Sequence, residues 1–280
     1  MRARSPREVS AALRLARWPN ALIAAAGVVV GAWFTMWIGR GSTIDVGLAA
    51  LAALCLTATA NAWNDIADLD IDRVAHPSRP LVTGELSISA ADRLAMAAAT
   101  LAVICASAVS VALGACTVGV LLLMRLYSPW LKREGFAGNL LVAVLASLPF
   151  LYGAYAAGPQ WERAVPLVLI AIPLHLAREL AKDLDDRDAD RGARRTLPLV
   201  AGAPVARIAI GVSLIVAGVI FARMLVPMVR DPHMLVVALL PAALVLAFAA
   251  ARAFRGVSGS PAFFKLGMVC AMAALLIARA

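Results

Sequence analysis

Between Leu94 and Met124 the chain runs for 31 residues without a charged side chain. At 1.5 Å of rise per residue a helix needs about 20 residues to cross the hydrocarbon core of a bilayer. The run is therefore too long for one comfortable crossing, and Gly114 is the natural place to break it. Similar uninterrupted apolar runs recur along the 280 residues. In lipid every backbone N–H and C=O must be satisfied within a helix or a closed barrel, and continuous rather than alternating apolarity selects helices. Composition agrees: 62% of residues are hydrophobic and 15% charged, with a mean hydropathy of +0.85. A soluble fold is excluded. The many alanines permit close helix packing.

The expected architecture is an all-α membrane bundle of nine transmembrane helices, at about 19–38, 44–63, 93–112, 115–131, 137–157, 164–182, 207–227, 233–251 and 262–279. With the N-terminus placed in the cytoplasm, 21 of the 26 Lys and Arg fall on the inner side, which is the asymmetry that orients membrane proteins. The whole chain, 1–280, reads as a single transmembrane domain. Residues 1–17 form a basic cytoplasmic lead-in without the cleavage site of a signal peptide. Two long inner connections, 64–92 and 183–206, are where chemistry has room. The net charge of +9 does not point to nucleic acid, because the basic residues flank apolar segments instead of forming a soluble patch. Cys55, Cys105, Cys116 and Cys270 all lie in apolar segments and read as small buried hydrophobes.

The acidic residues are distributed far less evenly. Of 17, 12 fall between Asp65 and Asp92 or between Glu179 and Asp190. Asp65, Asp68 and Asp72 stand at i, i+3 and i+7, and so do Asp183, Asp186 and Asp190, 118 residues later. On a helix each trio shares one face over two turns. Three carboxylates so placed repel one another and raise each other's pKa unless a cation compensates. This costly pattern occurs twice on the same side of the membrane, which points to two facing carboxylate clusters. Hard oxygen donors of this kind suit Mg2+, bound through a few carboxylates, waters and phosphate oxygens. Asn64 can add an amide oxygen. Asp70, Asp185 and Asp188 point elsewhere and read as solvating or Arg-pairing residues.

Cations accompany both trios. Arg79 sits between Pro77 and Pro80 on a stiffened turn. Arg178 and Lys182 stand one helical turn apart just before Asp183, and Lys182 is one of only three lysines. Such donors stabilise the negative charge that develops on a diphosphate leaving group. Arg194 and Arg195 read instead as side chains snorkelling to the interface. Tyr127, Arg125, Lys132 and Arg133 are candidates to reach the same cavity. His76 belongs to a turn, and His175 and His233 read as packing or interfacial residues.

NDIADLDIDRVAHPSRPLVTG, from Asn64 to Gly84, resembles the first motif of the UbiA superfamily of intramembrane prenyltransferases, NDxxDxxxD followed by a PxRPxxxG turn. KDLDDRDAD, from Lys182, resembles the second, KDxxDxxxD, and Thr196–Pro198 fits the TLP that trails it. YSPWLKREGFAGN, from Tyr127, is similar to the family's segment between the fourth and fifth helices. The resemblance spans essentially the whole chain. It implies Mg2+ bridging both motifs to an allylic isoprenyl diphosphate, with Asn64, Asp65, Asp68 and Asp72 at one metal site and Asp183, Asp186 and Asp190 at the other. Lys182 then assists ionisation, and Arg79, Arg178, Tyr127 and Lys132 contact the diphosphate. One departure stands out: Ala189 occupies a position that is usually Gly.

The chemistry implied is ionisation of the allylic C–O bond, shielded from water by the apolar bundle, and attack by a lipophilic acceptor. The second motif looks most like the branch that alkylates geranylgeranylglyceryl phosphate in ether-lipid synthesis, with an aromatic quinone precursor or a chlorin as alternatives. A cation-coupled transporter would place its carboxylates nearer mid-bilayer, on broken helices. A CDP-alcohol phosphotransferase would carry a DGxxAR segment, which is missing here.

Overall fold

The computed structural model describes residues 6–36, 42–130, 135–192 and 194–277, and every regular element among them is helical. In chain order these are α1 (Pro6–Ala16), α2 (Trp18–Met36), α3 (Thr43–Ala67), α4 (Leu69–Ala75), α5 (Ile88–Val109) and α6 (Val111–Trp130). There follow α7 (Phe136–Ala157), α8 (Val165–Asp185), α9 (Leu197–Val200), α10 (Ala203–Ile220), α11 (Pro232–Phe254) and α12 (Ser260–Ile277). Eight helices of the described residues are long and apolar enough to cross a membrane. The expected fourth span, 115–131, falls on α6, whose apolar stretch Val111–Arg125 is shorter than the others. Large side chains such as Ile208, Ile215, Val237 and Leu244 are exposed on α10 and α11, as lipid-facing surfaces require.

The chain divides into two compact units, residues 1–25 with 47–131, and residues 26–46 with 132–280. In the first unit Ala11 and Leu15 of α1 pack with Ala62 and Trp63 of α3, Leu81 and Leu86 of the following turn, and Ala91 and Ala95 of α5. The long charge-free run breaks at Ser110, not at Gly114. Ser110 is extended (φ −164°, ψ 154°) and closes α5, while its hydroxyl accepts from Leu113 N at 3.1 Å and so caps the start of α6. Gly114 serves a different purpose, since a Cβ there would stand 2.3 Å from Ser107 Oγ. Cys55 and Cys105 are buried in this unit as expected, but Cys116 is exposed.

In the second unit α8 is the helix against which α7, α10 and α12 pack. Close approach to α7 is built into α2. Gly27 and Gly31 are four apart, and a Cβ on Gly31 would stand 1.9 Å from Phe150 O; one on Gly153 would stand 1.8 Å from Val28 O. Backbone thus touches backbone, the use that membrane helices make of paired small residues. Toward the end that carries the second acidic stretch, Ala177, Leu180 and Ala181 of α8 are buried with Ile210, Ala249, Ala253 and Phe264.

Candidate active site

The expected connection 64–92 is largely helical. α3 carries Asn64 and Asp65 in its last turn, and Asp68 stands at the junction with α4 (φ −95°, ψ 7°). The i to i+4 backbone bonds continue across that junction, Asp68 N to Asn64 O at 2.9 Å and Asp72 N to Asp68 O at 2.8 Å. The helical register therefore survives the bend. Asp65, Asp68 and Asp72 are all buried, at 2%, 9% and 3% exposure, whereas Asp70 is exposed and pairs with Arg73, at 3.3 Å. The turn bounded by Pro77 and Pro80 brings Arg79 back under the helix. Its Nη1 donates to Asp65 Oδ1 at 3.2 Å and also to Asp72 Oδ2.

A second guanidinium reaches the same carboxylate. Arg17 Nη2 donates to Asp65 Oδ1 at 2.5 Å. Arg17 is the one non-glycine residue of positive φ (47°) among the described residues, and this left-handed turn between α1 and α2 aims its side chain. Asn61 Nδ2 fixes the same corner by donating to Ala16 O at 2.9 Å. Burial raises the pKa of Asp72, Arg79 opposes that rise, and the neighbouring Asp68 and Asp65 reinforce it.

The second stretch repeats the backbone frame. Asp183 lies in the last turn of α8, Asp186 ends the helix (φ −88°, ψ 4°), and Asp190 follows one turn later. Asp186 N donates to Lys182 O and Asp190 N to Asp186 O, both at 2.9 Å. Asp183 and Asp190 are buried, at 8% and 3% exposure, and Asp186 is half-buried. Asp188 is exposed and pairs with Arg191 at 3.2 Å, mirroring Asp70. Asp185 is exposed, and its Oδ2 also accepts from Gly259 N at 2.8 Å, just ahead of α12. Ala189 does not take up positive φ, so the departure from Gly is accommodated without strain.

The partners of this second set differ in kind. Asn139 of α7 donates through Nδ2 to Asp183 Oδ2 at 2.6 Å. Gly135 begins α7 at φ 53°, and a Cβ there would stand 2.1 Å from Arg195 O; only glycine allows the start of α7 to lie so close. Arg194 does not snorkel. It is largely buried, with Nη1 3.7 Å from Asp190 Oδ1, because a carboxylate buried nearby offers the guanidinium more than the interface does. Arg178 Nη1 donates to Glu179, and Arg178 Nε is buried without a hydrogen-bond partner. Lys182 is half-buried. Tyr127 falls on α6, but its side chain, like Lys132 and Arg133, lies outside the described residues.

Sequence reasoning passed over Arg17 and Asn139. Arg17 counted only as one of many inner-side arginines, and nothing in local spacing links it to an aspartate 48 residues away. Asn139 lay inside a quoted segment but carries no charge to draw notice.

The oxygen-only donor set suits a hard dication. Among the described residues no group of three or more His, Cys, Asp or Glu side chains converges tightly enough to hold a metal by itself. Mg2+ takes one or two carboxylates and completes its shell with water and substrate phosphate. Arg79 lies between Asp65 and Asp72 and pairs with both.

The profile of the UbiA prenyltransferase family matches residues 21–275. The chain belongs to that family. A digeranylgeranylglyceryl phosphate synthase from Methanopyrus kandleri is 34% identical over 271 residues, which cover 94% of this chain and 97% of that protein. Another, from Halobacterium salinarum, is 32% identical over 274 residues, covering 95% and 96%. In fold, a UbiA homologue from Aeropyrum pernix superposes with a TM-score of 0.82 at 22% identity, over 93% of this chain and 98% of that one. A UbiA homologue from Archaeoglobus fulgidus, bound to DMAPP and Mg2+, gives 0.67 at 19% identity over 93% and 98%. As a UbiA family member the chain is a multi-pass membrane prenyltransferase with an all-α fold.

Proposed function

We propose that this prenyltransferase moves an isoprenyl group from an allylic diphosphate, geranylgeranyl diphosphate for preference, to geranylgeranylglyceryl phosphate, making an ether lipid. The observation that carries the chemistry is the repeated frame: two helix ends, each presenting aspartates at i, i+3 and i+7 with the first and last of the three buried, beside arginine, lysine or asparagine. The acceptor is supported by relatives named digeranylgeranylglyceryl phosphate synthase that align with nearly the full chain. The A. fulgidus homologue with DMAPP and Mg2+ supports the donor and the metal. Asn64, Asp65, Asp68 and Asp72 would hold one Mg2+, and Asp183, Asp186 and Asp190 another. Mg2+ supplies charge neutralisation to the departing diphosphate.

The chain's own residues do the rest. Arg79, Arg178, Lys182, Tyr127 and Lys132 bind and orient the diphosphate, and Lys182 stabilises its charge as the C–O bond opens. The apolar helices hold the prenyl tail and keep water from the carbocation. Positive-inside counting supports a cytoplasmic-side position at the cell membrane for both acidic stretches. The reading is tested with detergent-purified protein, Mg2+ and labelled geranylgeranyl diphosphate, offered glyceryl-phosphate lipid, aromatic acids and chlorins in parallel. Transfer to the glyceryl-phosphate lipid alone is expected. Transfer to none, with Asp68→Ala and Asp186→Ala binding diphosphate as the wild type does, overturns the enzyme reading, and transfer to another acceptor overturns the lipid assignment.

A further inference from the structure

α8 carries more charge than the second motif uses. His175, Glu179 and Asp183 form one i, i+4 row, and Arg178, Lys182 and Asp186 form a second beside it. At about 100° per residue the two rows make one polar stripe, opposite the face that Ala177, Leu180 and Ala181 bury against α10, α11 and α12. The stripe runs from the helix end into a segment apolar enough to span the membrane. Glu179 is the only carboxylate of α8 outside the second motif. Its side chain is 12% exposed and is held by Arg178, itself 25% exposed. Lys265 of α12 lies within electrostatic range of that arginine.

A pairing role alone gives little reason for a carboxylate here. A buried ion pair stabilises a fold no better than an apolar pair of the same volume, because desolvation offsets the attraction. Ionisable side chains at such a depth are instead expected to act.

The reaction also needs a group to take up a proton. When an alcohol attacks an allylic cation, its oxygen becomes a protonated ether and a proton must leave. The motif aspartates are the residues that would hold Mg2+, and the ions would occupy their oxygens. Glu179 stands four residues before Asp183, about 6 Å further into the membrane segment. A prenyl tail entering the apolar bundle from a diphosphate held at the helix end would run in that direction. Attack on the allylic carbon from the side away from the diphosphate would then bring the acceptor oxygen toward the level of Glu179.

We propose, on the prenyl-transfer reading above, that Glu179 is the general base that accepts the acceptor's hydroxyl proton, with Arg178 positioning its carboxylate. The allylic C–O bond breaks, with its electron pair leaving on the diphosphate. The acceptor oxygen bonds to that carbon, and its proton passes to the Glu179 carboxylate, which becomes neutral until product leaves. Pairing with Arg178 does not prevent this, since a protonated ether is far more acidic than any carboxylic acid.

The test separates ionisation from transfer. Prenyl diphosphate labelled with 18O at the bridging oxygen scrambles its label whenever the bond opens and recloses, which a deoxy acceptor analogue that cannot be alkylated lets one follow. Glu179→Gln is expected to lose transfer by about 100-fold or more, the low end for a general base, while scrambling stays within about threefold of wild type. Glu179→Asp keeps the charge and recovers part of the transfer. Transfer by Glu179→Gln within about tenfold of wild type, scrambling that falls in parallel with transfer, or a Glu179→Asp no better than Glu179→Gln overturns the assignment. Scrambling and transfer both missing in the wild type overturn the prenyl-transfer reading, and this inference with it.

Discussion

The two acidic stretches share a backbone and differ in what neutralises them. In each, the first aspartate sits in the last turn of a long helix. The second ends or interrupts that helix near φ −90° and ψ 5°. The third is a turn further on and buried. In the first stretch Arg79 bridges Asp65 and Asp72, and Arg17 adds a second guanidinium to Asp65. In the second, Asp183 is held by the neutral amide of Asn139 and Asp190 stands 3.7 Å from Arg194. The same local geometry is therefore built with two guanidiniums in the first stretch, and with an amide hydrogen bond and one arginine pair in the second. An ion entering the first stretch must compete with Arg79 and Arg17, and one entering the second with Arg194 at Asp190 and with the Asn139 amide at Asp183.

The largest effects test whether both stretches serve the reaction. Asp68→Ala and Asp186→Ala should each lower prenyl transfer by on the order of 100-fold or more, as loss of an electrostatic stabiliser does. Either variant remaining within tenfold of wild type in the transfer assay would make its stretch structural and break the symmetry. Next comes Arg79→Ala, which takes the guanidinium from buried Asp72 and leaves Asp65 with Arg17, and should cost about 3 kcal/mol of stability, read as a lower melting temperature in detergent. Added Mg2+ should stabilise this variant more than the wild type, because the ion replaces the missing cation. Arg79 also holds the Asp72 pKa down. Without it that pKa rises further, so Mg2+ binding by Arg79→Ala should fall away at a higher pH than in the wild type, as titration of ion affinity against pH would show.

Asn139→Ala should cost less, about 1–2 kcal/mol, since it deprives a buried carboxylate of one hydrogen bond. Its melting curve should respond less to Mg2+ than that of Arg79→Ala, and an equal response would erase the contrast between the two sets. The smallest change belongs to the exposed i, i+3 pairs. Asp70→Ala and Asp188→Ala should each shift stability by no more than about 0.5 kcal/mol and leave transfer unchanged, as thermal melts and the same assay would reveal.

Much of this was legible in the chain because it depends on near neighbours. The i, i+3, i+7 spacing specifies which aspartates share a face, and Asp70 and Asp188 fall outside it on simple helical geometry. Apolar runs place the helices to within a few residues. The break at Ser110 was misplaced to Gly114 because glycine signals a break or a close contact equally well, and only packing against Ser107 tells which. Arg194 was misread for a related reason: whether a guanidinium snorkels or pairs depends on a carboxylate that the fold brings beside it.

What the sequence determined by itself is the membrane-spanning helical class and the two aspartate faces, since both follow from hydropathy and helical period along one stretch of chain. What the tertiary structure alone decided is the company those aspartates keep. Arg17 meets Asp65 across 48 residues, and Asn139 meets Asp183 across 44. No local pattern encodes such pairs. They exist because a left-handed turn at Arg17 and the close approach of α7 at Gly135 bring distant backbone together, and burial then requires each carboxylate to find a donor.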